Sequence, residues 1–207
     1  MIVSLILSFS ALLYLGGQIY QQAPPIPNAV QIVNGNVIYS KQDIEDGQNI
    51  WQTIGGMQQG SIWGHGSYLA PDWSADWLHR EALSLLDIIK SSGFYLNNKY
   101  QTREAHKIIL KDEMRTNTYN ATTGVITISQ NRALAIAETQ RHYIDLYTSN
   151  KQEYQQLRED YAFPIKMILD KEKARKLSAF FFGQHGQRQL TALRMRLLIP
   201  VIGRMSH

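Results

Sequence analysis

The chain has 207 residues, no cysteine, and 21 Lys and Arg against 17 Asp and Glu. Without cysteine there can be no disulfide, no zinc–thiolate or iron–sulfur site, and no haem held through thioethers. The excess of +4 is Arg188, Arg194, Arg196 and Arg204, all within residues 183–207, which carry no acid; the body of the chain is balanced, has no basic stripe, and speaks against nucleic-acid binding.

Ile2–Leu15 is apolar and the chain is uncharged through Tyr20. With no basic start and no small-x-small cleavage site, residues 1–20 read as an uncleaved transmembrane anchor in contact with membrane lipid, with Gly16, Gly17 and Tyr20 near the interface. Prolines 24, 25 and 27 rule out helix and make Ala23–Pro27 a stiff extended exit. Alternating apolar residues either side of Asn34–Gly35 predict a hairpin. Ser40 with Asp43 forms a capping box that opens a helix to about Thr53.

Asp72 can cap a helix over 73–90, whose residues Trp77, Leu78, Ala82, Leu85, Leu86 and Ile89 recur at helical spacing. Asp76–Arg80 is an (i, i+4) pair expected on its far face. A more polar helix follows at 102–114, then a hairpin over 118–129 turning at Ala121–Gly124. A strongly periodic helix runs from about Gln130 to Tyr147 and continues as a charged helix to a break before Pro164. A last helix passes through Lys171–Lys176 into the run Leu177–Phe182. The fold class is therefore mainly α: an N-terminal transmembrane helix followed by a helical domain with small β-hairpins.

Candidate chemistry concentrates in GSIWGHGSYLAPDWSADWLHRE, residues 60–81. His65 and His79 are only two potential ligands, short of the three or four a zinc site needs. A non-covalent haem would want an axial His or Met in an apolar slot, for which Met57 and His65 are the candidates here, with His79 the alternative histidine. No nucleophile elbow, phosphate loop, dinucleotide fingerprint or zincin helix is present. Asp72, Asp76 and Glu81 are explained by capping and helix-surface pairing. The tryptophans fit a core or an interface. No catalytic residue is assigned in this chain.

The run GQNIWQTIGGMQQGSIWGHGSYLAPDWSADWLHRE resembles the N-terminal region of quinol-dependent nitric oxide reductases. The segments GGQIYQQAPPIP, RTNTYNATTGVITIS, LREDYAFP and LSAFFF agree with it in order. The resemblance implies a periplasmic cytochrome c-like domain over 21–172 and, from 173–182, the start of a second transmembrane helix. In the full-length enzyme of the bacterial inner membrane, haem b, haem b3 and non-haem iron reduce NO to N2O with quinol electrons.

The cytochrome c component of the related two-chain enzymes resembles W-Q-x-x-x-C-x-x-C-H-x-x-x-G-x-G-x-Y-x-A-P. This chain keeps Trp51, Gln52, Gly64, Gly66, Tyr68, Ala70 and Pro71 at that spacing. It has Gly56 and Gln59 where the haem cysteines would stand and Gly60 where the proximal histidine would stand. The resemblance thus implies a haem-free domain whose haem is replaced by side chains such as Trp63 and its neighbours. It also implies that Gly66 and Tyr68 could ligate calcium against the haem-bearing part. Trp63, His65, Trp73, Trp77 and His79 are the interface candidates toward that part, and Trp73 and Trp77 could pack a quinol ring.

After Phe182 the resemblance stops. The family pattern F-W-T-A-W-A-A-A-T-N-R-P, written in one permitted codon set with a single T removed, translates as F-G-Q-H-G-Q-R-Q-L-T-A-L, which is Phe182–Leu193. The expectation is that residues 183–207 are an out-of-frame tail, so that the chain is a truncated reductase without activity of its own. The alternatives are a stand-alone membrane-anchored binding or assembly protein, or a domain holding metal or haem through His65 or His79.

Overall fold

The structure, a computed structural model, describes residues 2–22, 25–62, 64, 70–91, 103–164 and 167–184. Residues 26–189 form one compact unit, and α1, Ile2–Gln22, belongs to another. The expected transmembrane helix is not supported: no helix among the described residues is long and apolar enough to cross a membrane. The physical reason lies in the extent of the apolar stretch. Ile2–Leu15 is diluted by Ser4, Ser8 and Ser10 and gives way to Gly16 and Gly17. At about 1.5 Å per residue it reaches about 21 Å, against roughly 30 Å of hydrocarbon.

The main unit starts with a small sheet. β1 (Ala29–Ile32) and β2 (Val37–Ser40) pair antiparallel around Gly35, which sits at φ +89° where a side chain would be strained. β3 (Tyr119–Asn120) and β4 (Val125–Ile128) form the second hairpin. Local alternation predicts two separate hairpins; the structure joins them through parallel β1–β4 pairing into one sheet, order β2-β1-β4-β3. Asn28 fastens the seam, donating from its backbone to Gly124 O (2.7 Å) and from its side chain to Thr123 O (2.9 Å).

α2 (Lys41–Thr53) begins with the predicted capping box: Ser40 Oγ accepts from Asp43 N at 3.1 Å, and Asp43 Oδ2 accepts from Ser40 N at 3.0 Å. α3 (Trp73–Ser91) and α5 (Gln130–Thr148) are the longest helices of the unit and pack against each other, with α4 (Arg103–Arg115) beside α3. The charged segment is not a continuation of α5. The chain breaks at Ser149 and restarts as α6 (Gln152–Asp160). Arg158 of α6 reaches back to donate to Leu146 O (2.8 Å) and Ser149 O (2.7 Å), satisfying carbonyls that the end of α5 leaves open.

The last described helix, α7 at residues 171–184, enters the core. It contains the stretch 173–182 that the resemblance reads as the opening of a membrane helix, and Ala174, Leu177, Ala179, Phe180, Phe181 and Phe182 are all buried in the domain. α2 admits it closely: a Cβ added to Gly47 would stand 2.0 Å from Lys176 O. Ion pairs flank that contact, Arg175 with Asp43 and Lys176 with Asp46 at 2.8 Å.

Among the described residues one carboxylate is fully enclosed. Glu81 has no exposure, accepts from Trp77 Nε1 (2.9 Å) and pairs with Arg132 Nε (2.7 Å), which is itself 5% exposed. Removing either partner would strand a buried charge, at a cost of about 3–5 kcal/mol. Glu81 lies on the buried stripe of α3 with Trp73, Trp77, Leu85 and Ile89, and not on the helix surface that the sequence reading gives it.

Candidate functional site

The stretch that draws attention in the sequence is built around two glycines and two tryptophans. α2 ends at Thr53; Gly55 turns the chain at φ +74° into a short 3-10 turn, Gly56–Gln58. Trp51 folds over that turn, so a Cβ at Gly56 would lie 2.0 Å from the Trp51 ring. At Gly60 (φ +125°) a Cβ would lie 2.4 Å from Trp73 Nε1 and 2.6 Å from Pro71 O. Gln59, between them, uses its backbone carbonyl to accept from Trp73 Nε1 at 3.0 Å. The positions compared with two thioether cysteines and a proximal histidine therefore carry neither thiol nor imidazole. They also leave no room for side chains at 56 and 60, and a covalently attached haem does not fit these residues.

Rings fill the adjacent volume. Phe181 stacks on Trp73 (5.4 Å between centroids, 8° between planes) and meets Trp51 edge-on at 5.5 Å. Trp77 stacks on Tyr143 (5.2 Å, 7°), and Phe182 closes against Trp77 and Tyr39. Trp73 and Trp77 have no exposed surface. The sequence offers both as interface candidates and as core; in this structure both lie in the core, where helical spacing points them into the α3–α5–α7 contact. His79, two positions beyond Trp77, lies on the opposite, exposed side of α3. Met57 is 73% exposed, so it offers no apolar slot for an axial ligand. Trp63, His65, Gly66 and Tyr68, and the tail 185–207, lie outside the described residues.

Asp72 ties the loop to the helix. Its Oδ1 accepts from Ala75 N (2.9 Å) and Ser74 Oγ (2.5 Å), capping α3, while its Oδ2 accepts from Ser61 Oγ (3.0 Å) and from Gly64 N. Partial burial pushes the carboxyl up, and these hydrogen bonds outweigh it, so its pKa lies below the ordinary aspartate value. Trp73 N to Ser61 O (2.9 Å) completes the closure. Asp76 is half-buried, not on a free outer face: it holds Arg80 (2.8 Å) and accepts from Tyr143 Oη (2.7 Å).

Chemically, the described residues hold carboxylates that cap and pair, and no group of three or more His, Asp or Glu that could hold a metal. What the sequence reading missed is the source of the filling. The sequence points to Trp63 and its neighbours, and Trp63 lies outside the described residues; among the described residues the rings at the site are Trp51, Trp73 and Phe181, the last from α7. Residues 27–184 match the family model of the NorB cytochrome c-like domain of nitric oxide reductase. No curated protein matches the chain.

Proposed function

The chain belongs to the NorB cytochrome c-like domain family of nitric oxide reductases, and from that premise we propose that it is the haem-free structural domain of a quinol-dependent reductase. The observation that carries this reading is the pair of tryptophans lying where side chains at Gly56 and Gly60 would have to go. A cytochrome c-like scaffold without thiols, and with its slot packed by rings, keeps a shape and gives up electron transfer through haem. In this reading the domain covers the periplasmic side of the haem-bearing membrane part, where haem b, haem b3 and non-haem iron reduce NO with quinol electrons. In this reading the residues His65, Gly66 and Tyr68, with exposed His79 further along the chain, supply the contact, calcium included.

The test uses the full chain, alone and together with the haem-bearing part of a reductase of this family. The proposal expects the chain to consume no NO with quinol by itself and to co-purify with the haem-bearing part. NO consumption by the chain alone would overturn it, as would failure of the two parts to associate.

A further inference from the structure

The aromatic core contains a graded set of tyrosines around one tryptophan. Trp73 touches Trp51 (6.0 Å), Tyr143 (6.3 Å), Tyr147 (6.3 Å) and half-buried Tyr161 (5.9 Å). Rings at such separations are in edge contact, and electron tunnelling between them is fast compared with escape to solvent. The three tyrosines differ in one respect that matters to oxidation. A phenol that loses an electron must also lose its proton, and in a buried site the proton needs a base already hydrogen-bonded to it.

Tyr147 Oη is buried with no hydrogen-bond partner among the described residues. Tyr161 also lies within the field of Asp76, but its side-chain hydrogen bond is to the Arg80 cation, which accepts no proton. Tyr143 alone of the three donates to a carboxylate, Asp76 Oδ2 at 2.7 Å, and Arg80 Nε fixes that same oxygen at 2.8 Å, leaving Oδ1 as the lone-pair site for an incoming proton. Burial, then the Asp76 charge, keeps the Tyr143 phenol far from ionising unaided, so its proton moves only together with the electron. Trp77, stacked on Tyr143, shares the ring system.

We propose that Trp73, Tyr143 and Asp76 form a relay in which Trp73 loses one electron to an oxidant outside the half-buried Tyr161 ring, which only bridges the gap and is not itself oxidised, and the oxidising equivalent is stored on Tyr143. The oxidant class is a small nitrogen-centred radical such as nitrogen dioxide. It takes one electron and becomes nitrite, while the Tyr143 proton passes to Asp76, leaving a neutral tyrosyl radical and a protonated carboxyl. Charge and atoms balance without a metal. The relay does not depend on how the domain docks, since every group lies within this chain.

Pulse radiolysis of the full chain with azidyl radicals, which oxidise tryptophan and end as azide, tests it directly. The relay predicts that the tryptophan radical converts to a tyrosyl radical in a first-order step independent of protein concentration. Tyr143→Phe, which keeps the ring and its stack, removes that step. Asp76→Asn, which keeps the hydrogen-bonding shape without the base, slows it at least about tenfold. Tyr147→Phe leaves it unchanged. An unaltered rate in either Tyr143→Phe or Asp76→Asn, with the fold intact by circular dichroism, overturns the proposal. So does a conversion rate that scales with protein concentration.

Discussion

His142 shows how one side chain sets a condition on the whole fold. Its ring lies on α5 against Tyr143 (5.3 Å) and against Tyr154 of α6 (5.6 Å), and its Nε2 is buried with no hydrogen-bond partner among the described residues. Burial first, then the Arg80 charge, lowers its pKa to about 4, against the weaker pull of Asp76 and Asp145. The folded protein therefore prefers the neutral ring. Its contribution is complete above the unfolded value near 6.5 and is lost as pH falls from there toward about 4. Asp43 and Asp72, whose pKa values are depressed, titrate below that window. Urea denaturation should lose about 2 kcal/mol between pH 7 and pH 4, discounted for the exposed part of the ring. His142→Phe, which removes the unpartnered nitrogen, should flatten that slope. An unchanged slope in the variant would assign the acid sensitivity elsewhere.

At the scale of elements, the contact between α2 and α7 joins segments more than a hundred positions apart. Gly47 lies in mid-helix, where glycine normally costs about 1 kcal/mol relative to alanine. It is kept because Lys176 O and Phe180 Cβ already occupy the space of a side chain, at 2.0 and 2.8 Å. Gly47→Ala should thus destabilise by about 2 kcal/mol, against the direction of helix propensity, and thermal unfolding followed by circular dichroism reads the sign. A stabilised variant would show that α7 does not dock as described. The helices, their caps and the hairpin turns were legible because each is written in residues a few positions apart: Ser40 with Asp43, Asp72 with Ala75, Asn34 with Gly35. The β1–β4 pairing, the Glu81–Arg132 ion pair and the docking of α7 join residues far apart in sequence. For these, local pattern carries no distance information. Glu81 was the exception within reach, since its spacing of four from Trp77 and from Leu85 places it on the buried stripe of α3.

For the molecule as a whole, the candidate site in the sequence changes its meaning in the structure. The glycines at 56 and 60 mark missing haem ligands in the sequence. In the structure they are required, since the rings of Trp51 and Trp73 press against their α-carbons. The filling could not be read from the motif itself, because Phe181 arrives from more than a hundred positions further along the chain. The measurement that tests this most directly is the absorption spectrum of the purified full chain during titration with haem. A domain whose slot is packed by Trp51, Trp73 and Phe181 should leave the spectrum of free haem unaltered at every ratio. A shifted Soret band that disappears in His65→Ala would contradict the account and make the domain a haem binder.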